Sequence, residues 1–500
     1  MPKYQKLAAI LGAGILFTAC GTGAGSLPDE AYEPVPRSLF PIPDDAYVGD
    51  TMPFVTDDGT LELYYLYDTD HNGKCYHPIW KYSTKDLTSY EDHGMVLNFG
   101  KMQDPDPAIG TGSVTQDKDG KYHLFYTGHN DLGNQGKGKE CVMHAVSDDR
   151  TTWTKLPEDT FFAPENYSKD DFRDPEVFWV EEENCWWMLM AGRENTKGGV
   201  TALFTSTDLH KWEYDGILYA PMAQYMLECP DIFEIDGTWY LTYSWDCVTY
   251  YAVGESRRGP FKAPADNVFD GNGFIYYAAK HAHFKDDDYL CGWLGRAALT
   301  VDSGAYQWAG NVLNHRLVKH EDGTLGVAAP KTYWDHFAQE KPFKAVKKQG
   351  KVTIKDNTIQ LSGSADTYAL ADMGTRPAAM LLECDVTLKN GVAGFAFGGY
   401  ADDPEWYVMC LDTVNGRLHY NGLTVEQMEK FDSPAFTNFD FSKQETHHVT
   451  LVCENEIVIL YIDDLKAFSC RCSSSTNGAH IGVFADNCDA VFSNITVRIP

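Results

Sequence analysis

One pattern returns five times in the first two thirds of the chain. A turn of Asp, Asn or Gly is followed by alternating apolar residues that end in aromatics. It reads Asp58-Gly59-Thr60-Leu61-Glu62-Leu63-Tyr64-Tyr65, then Asp119-Gly120-Lys121-Tyr122-His123-Leu124-Phe125-Tyr126. It returns as Asn184-Cys185-Trp186-Trp187-Met188-Leu189, as Asp236-Gly237-Thr238-Trp239-Tyr240-Leu241-Thr242-Tyr243 and as Asp287-Asp288-Tyr289-Leu290-Cys291-Gly292-Trp293. Period-two alternation of β-branched and aromatic residues after a turn signal predicts a strand. A second marker follows three copies: Ser83-Thr84-Lys85-Asp86-Leu87 before Tyr90, Ser147-Asp148-Asp149 before Trp153, and Ser206-Thr207-Asp208-Leu209 before Trp212. Each marker predicts an outer strand and its turn. The spacing of about 50–65 residues suits a four-stranded blade with long loops. Five copies predict an all-β fold that begins with a five-bladed β-propeller over residues 41–338. A generic series of β-sandwiches is the competing arrangement.

The texture changes after about residue 340. Lys341 to Lys351 is basic and loop-like, and short strands separated by turns follow, with Asn390-Gly391, Asn415-Gly416 and Asn477-Gly478 the clearest turn signals. This predicts a C-terminal β-sandwich over residues 345–500.

The N-terminus reads as an address. Lys3 and Lys6 precede an apolar run from Leu7 to Phe17, and small residues follow to Cys20. The run is too short for a membrane span and predicts a secretory signal over residues 1–20. Phe17-Thr18-Ala19-Cys20-Gly21 resembles a bacterial lipobox, which makes Cys20 the lipidated first residue of an exported, surface-anchored chain; ordinary secretion after signal cleavage is the alternative. Residues 21–40, rich in Gly, Ser, Pro and Glu, are expected to be a flexible tether. The other twelve Cys are scattered, without CxxC or Cys/His metal spacing, so buried thiols are favoured over a disulfide framework and neither a metal nor a cofactor is expected. A net charge of -31 argues against nucleic-acid partners. Aromatics at 13% suit β-sheet cores and equally the stacking of sugar rings.

Three carboxylates lie at almost the same offset from their turns. Asp50 is 9 residues before Gly59, Asp174 is 10 before Asn184, and Glu228 is 9 before Gly237. Equal offsets predict equivalent places on innermost strands, so blades one, three and four would aim three acids into one funnel. Blade two offers Gly110-Thr111-Gly112-Ser113 at this offset and blade five offers Ala278-Ala279, small residues that leave room for a ligand.

Asp174 sits in Phe172-Arg173-Asp174-Pro175 and Glu228 in Met226-Leu227-Glu228-Cys229-Pro230-Asp231. These resemble the RDP and EC motifs of glycoside hydrolase family 32, the β-fructosidases, a family that also has a five-bladed propeller followed by a β-sandwich. Val48-Gly49-Asp50-Thr51-Met52-Pro53 departs from that family's usual Asn-Asp-Pro-Asn-Gly but keeps the aspartate, and Gly110-Thr111-Gly112-Ser113 stands where Phe-Ser-Gly-Ser is usual. The resemblance implies a retaining hydrolase of sucrose or fructans. Asp50 is then the nucleophile, Glu228 the acid and base, and Asp174 the partner of two ring hydroxyls, supported by Arg173. Thr111 and Ser113 are the further substrate-binding candidates. Retention requires the Asp50 and Glu228 carboxyls to lie roughly 5–5.5 Å apart. Three acids in one funnel repel, and the acid's pKa is expected to be the one raised, with Met226 and Leu227 desolvating Glu228. Trp245, Trp293 and Tyr277 are candidates for subsites or for core packing.

Two rivals stand beside this reading. An inverting, family 43-like arabinofuranosidase or xylosidase would have carboxyls about 6.5–9.5 Å apart. The second is a surface lipoprotein that binds sugar without cleaving it, either as a whole or through the sandwich. A fructosyltransferase differs only in the acceptor of the fructosyl group.

Overall fold

The structure is a computed structural model that describes residues 33–69, 77–399, 405–423, 428–429, 435–473 and 479–500. Cys20 lies outside the described residues, as does most of the expected leader and tether.

Five antiparallel blades follow one another along the chain, the first and last joined into one sheet. Blade one holds β1 (Tyr47–Val55), β2 (Leu61–Asp68), β3 (Ile79–Thr84) and β4 (Glu91–Leu97). Blade two holds β5 (Ala108–Gln116), β6 (Tyr122–His129), β7 (Glu140–Ser147) and β8 (Thr154–Lys155), with the short β9 (Phe161–Phe162) also paired to β7. Blade three holds β10 (Tyr167–Val180), β11 (Cys185–Glu194), β12 (Gly198–Ser206) and β13 (Glu213–Ala223). Blade four holds β14 (Glu228–Ile235), β15 (Thr238–Trp245), β16 (Val248–Gly254) and β17 (Phe261–Lys262). Blade five holds β18 (Tyr277–Phe284), β19 (Asp287–Ala297), β20 (Tyr306–Lys319) and β21 (Leu325–Ala328). The first strand of each blade touches the next in the order β1, β5, β10, β14, β18, and β18 touches β1 again. Val48 of β1 also pairs with Gly310 of β20, which ties the first blade to the last. The result is a five-bladed β-propeller.

The outer marker works as a capped turn. Thr84, Ser147 and Ser206 each accept two backbone N–H groups, and Asp86, Asp149 and Asp208 two residues on each accept two more. Leu87, Arg150 and Leu209 can then hold a positive φ, because every donor that the tight turn frees has a side-chain acceptor.

All five inner strands break register at one level. Asp50-Thr51 bulges between the pairs Gly49–Leu66 and Met52–Tyr64. Thr111 does so in β5, Asp174-Pro175 in β10, Cys229-Pro230 in β14 and Ala278-Ala279 in β18. Asp174, Cys229 and Ala278 all have positive φ there. A bulge bends its strand and re-aims its side chains, and five at one level give the channel a ring of re-aimed positions.

The C-terminal part is a β-sandwich. One sheet joins Lys351–Lys355, Thr358–Ser362, Asp489–Ile499, Ala379–Leu388, Thr446–Glu454, Ile457–Ile462 and Lys466–Arg471; the other joins Val346–Gln349, Ala369–Thr375, His480–Asp486, Val392–Gly398, Trp406–Asp412 and Arg417–Leu423. It is bound to the propeller by buried polar groups. Asp270 accepts the backbone N–H of Ser469 at 2.8 Å and its hydroxyl at 2.5 Å, and it faces His315 at 3.0 Å. Arg471 donates to the carbonyls of Leu294 and Gly295 and to the Asn311 side chain. The end of the expected tether is part of this junction rather than a free linker. Ser38, Leu39 and Phe40 donate their N–H groups to the Glu454 carboxylate, Arg37 pairs with Glu456, and Leu39 and Phe40 are buried. A chain with that many donors held by one carboxylate cannot swing. The eleven cysteines among the described residues are free thiols.

Candidate active site

The bulged ring opens into a cavity of about 620 Å³ lined by Asp50, Thr111, Arg173, Asp174, Glu228 and Tyr277, with Trp308, His77 and Glu140 among the other walls. The three acids singled out in the sequence therefore meet in one place. Their registers are not identical, however. Asp50 and Asp174 are the first residues of their bulges, whereas Glu228 directly precedes one and so matches Gly49, Gly110, Arg173 and Tyr277.

That one-residue offset links three blades. Arg173 donates from Nη1 to Glu228 Oε1 at 3.2 Å, and the Tyr277 hydroxyl donates to Glu228 Oε2 at 2.5 Å. Arg173 is itself held by Glu140 at the start of β7, through Nε at 3.0 Å and Nη2 at 2.5 Å. Glu140 also accepts the backbone N–H of Phe172, so strand and guanidinium are fixed by one carboxylate.

The aspartates are held differently. The indole of Trp293 donates to Asp50 Oδ1 at 3.1 Å, and Thr111 donates to the Asp50 carbonyl at 3.3 Å. Asp174 Oδ2 accepts the N–H of Cys229 at 3.0 Å, and the Asp174 N–H is donated to the Thr127 hydroxyl at 2.8 Å. Burial raises the Asp50 pKa to about 6; the Trp293 bond opposes this and the charge of Glu228 adds to it. Burial raises Asp174 to about 7, with Glu228 and Asp50 pushing the same way and Arg173 opposing. The expected burial of the acid group thus acts on the two aspartates. Met226 and Leu227 are core residues, and the Glu228 carboxylate is met by Arg173 and Tyr277 instead.

Two sequence candidates fall elsewhere. Ser113 does not line the cavity; it is buried two residues past Thr111 and accepts the Val177 N–H at 2.9 Å, so it is tied to blade three. Trp245 packs on Tyr250 beside the core of blades three and four. Sequence reasoning missed Glu140 and Trp308. Trp308 lies over Gly49: a Cβ there would stand 2.3 Å from the indole ring. The missing side chain beside Asp50 is therefore matched by an aromatic from blade five, which also stacks on His77 with centroids 5.0 Å apart. Glu140 had no motif around it, and its place follows only from the pairing of β6 with β7.

Two aspartates and a glutamate gathered in the channel of a five-bladed propeller that is followed by a β-sandwich define a glycoside hydrolase framework. Residues 42–328, more than half of the chain, match the model of the glycosyl hydrolases family 32 N-terminal domain, and the chain belongs to that family. It is a glycosidase that hydrolyses O-glycosyl bonds. It is 25% identical over 485 residues to a levanbiose-producing levanase of Bacillus subtilis (strain 168), covering 88% of this chain and 86% of that protein. The fold is similar to that of Aspergillus kawachii β-fructofuranosidase complexed with glycerol, with TM-score 0.69, 18% identity, and 94% of this chain and 95% of that one covered. It is also similar to that of the Aspergillus awamori exo-inulinase, with TM-score 0.66, 16% identity and coverage of 93% and 98%.

Proposed function

We propose that the protein releases fructose from sucrose or a fructan with retention of configuration, using Asp50 as nucleophile and Glu228 as acid and base. The observation that carries the reading is the convergence of Asp50, Asp174 and Glu228 on one cavity in a family 32 chain. Asp50 attacks the anomeric carbon while Glu228 gives its proton to the departing glycosidic oxygen. Forming the covalent intermediate moves one negative charge from Asp50 to Glu228. Glu228, now a carboxylate, takes a proton from water; the hydroxide attacks the anomeric carbon and frees Asp50 and fructose. Asp174 accepts hydrogen bonds from two ring hydroxyls. Arg173 and Tyr277 hold the Glu228 carboxylate from two sides, which fixes its position through both steps.

The test is to incubate the mature protein with sucrose, levan, inulin and arabinan and to identify the released sugar. Fructose from at least one of the first three is expected, whereas arabinose alone would overturn the assignment. Asp50→Ala and Glu228→Ala should each lower turnover about a thousandfold or more with the fold retained; wild-type turnover in either would remove its role. Export and lipid anchoring at Cys20 belong to the same proposal and rest on the lipobox-like Phe17–Gly21 segment. Palmitate labelling of the bacterial host should mark the wild-type chain and not Cys20→Ser, and labelling of both or of neither would refute the anchor.

A further inference from the structure

Blades two and three meet on their outer side at a row of imidazoles that the cavity does not use. Asp117 Oδ2 faces His123 Nε2 at 3.2 Å, His123 Nδ1 faces His144 Nε2 at 2.9 Å, and His144 Nδ1 faces Asp159 Oδ2 at 2.8 Å. The same Asp159 oxygen faces His210 Nδ1 at 2.7 Å. The row invites a count of protons. Three contacts join Asp117 to Asp159 through two rings, and each needs one hydrogen. Two neutral imidazoles carry two N–H groups between them. Backbone N–H groups of Asp119 and Lys121 hold the other oxygen of Asp117 as an acceptor, and in the tautomer where His123 Nε2–H donates outward to Asp117 the missing hydrogen falls at the other end of the row. His144 Nε2–H then donates to His123 Nδ1. His144 Nδ1 is left as a bare lone pair aimed at a carboxylate oxygen. Two acceptors at 2.8 Å repel unless a cation lies between them.

The donors around that gap suit a metal ion. His144 Nδ1, His210 Nδ1 and Asp159 Oδ2 all lie within 4.8 Å of one another. The other ring nitrogen of His144 ends in a histidine–carboxylate pair, the outer support that metal-bound imidazoles usually have. His144 is almost wholly buried and stacks on Phe125 with centroids 4.2 Å apart, so one ligand is rigid. His210 is half exposed on the turn capped by Ser206 and Asp208, so the other can adjust. Ligands at about 2.0–2.1 Å around a tetrahedral ion stand about 3.3 Å apart, so opening the present contacts by about half an ångström makes room, with water as the fourth ligand.

We propose that His144, Asp159 and His210 form a binding site for a divalent first-row transition ion of the zinc class, which clips blade two to blade three. Two imidazoles and one carboxylate are a borderline donor set that favours zinc over calcium or magnesium. The sequence reading found no metal spacing because the ligands are 15 and 51 residues apart and come from different blades. The site lies four residues along β7 from Glu140, so it serves the frame and takes no part in sugar cleavage.

The test uses untagged mature protein stripped with EDTA and titrated with zinc chloride in a calorimeter, with bound metal counted by mass spectrometry. One equivalent is expected, together with a rise of a few degrees in Tm on loading. His210→Ala and Asp159→Asn should each lose that equivalent and the Tm response and keep the turnover of the stripped wild type. His210 is exposed enough that its loss does not threaten folding. Cobalt(II) in place of zinc should give visible absorption bands that vanish in His210→Ala. No bound equivalent in the wild type, or an equal stoichiometry in the variants, would overturn the site. The first of these results would assign the cation between His144 and Asp159 to a proton.

Discussion

Trp293→Phe removes the indole donor that holds the charge of Asp50, the proposed nucleophile. The indole N–H lies 3.1 Å from Asp50 Oδ1, and burial has raised that carboxyl to about 6. A hydrogen bond to a charged acceptor contributes about 1.5–3 kcal/mol. Since 1.36 kcal/mol is about one pKa unit, its loss raises Asp50 by about one to two units. As the proposed nucleophile Asp50 must be ionised to attack, so the acidic limb of the wild-type kcat/KM rises with pH through about 6. In the variant this acidic limb moves to about 7–8. At pH 6 the ionised fraction falls from about one half to about one tenth or less, so kcat/KM drops about fivefold at the lower end of that range and about fiftyfold at the upper. Water in the open cavity can replace the lost donor, which favours the lower figure. Near pH 8.5 the variant recovers most of the wild-type rate. The assay is initial-rate kinetics on sucrose or levan from pH 4.5 to 9, with Tm measured beside it. Asp174, raised to about 7, titrates with Asp50, so the limb belongs to the pair. A loss of equal size at every pH would refute the reasoning and reduce Trp293 to packing against Phe274, Tyr277 and Trp308.

The remaining predictions concern stability and fit. Asp174 holds its proton in the fold up to about pH 7, whereas the unfolded chain releases it near 3.8, so this group makes the fold less stable as pH rises between those values. Asp174→Asn should therefore be more stable than wild type by about 1–3 kcal/mol at pH 8, with the difference shrinking towards pH 4, and at least a hundredfold slower; denaturation at the two pH values checks the sign. Gly49→Asn restores a side chain where Trp308 now lies, and the 2.3 Å approach should cost about 1–3 kcal/mol. Adding Trp308→Ala should return part of that stability, and a double-mutant cycle with no coupling would refute the match between the two positions.

The propeller was legible because its signal is local. Each turn and the alternating strand after it lie within about ten residues, and each outer marker closes its own turn through Ser or Thr and Asp side chains. The acids were legible through motif and offset, but their relative level was not. Counting back from a turn assumes one residue per pairing step, and each bulge breaks that count. Glu228 consequently sits beside Arg173 and Tyr277 rather than opposite Asp174. Ser113 fell out of the site for the same reason: below the bulge the side chain faces blade three. Glu140, Trp308 and the histidine row depend on which strands become neighbours, and no local pattern carries that. The junction that captures residues 37–40 was hidden because a Pro- and Glu-rich stretch looks like a linker until a carboxylate such as Glu454 collects its N–H groups.

The bulges also explain why this channel can do chemistry where a regular one could not. In unbroken strands alternate residues face the channel, so charges on neighbouring blades would repeat at two-residue steps down its length. The bulges compress the sequence into three successive levels. Gly49, Gly110, Arg173, Glu228 and Tyr277 form the first, and the hydrogen-bonded run from Arg173 through Glu228 to Tyr277 lies wholly within it. Asp50, Thr111, Asp174, Cys229 and Ala278 form the second. Where pairing resumes come Met52, Gly112, Glu176, Asp231 and Lys280, and there Lys280 donates to Glu176 at 2.7 Å and to the Gly112 carbonyl at 2.6 Å, while burial and the charge of Glu176 raise Asp231 to about 7. The buried cation is thus committed to its own level. The two aspartates one step away keep their mutual repulsion and their raised pKa values, so an ester on Asp50, the proposed nucleophile, would take the charge out of that pair while Glu228 takes it up between Arg173 and Tyr277.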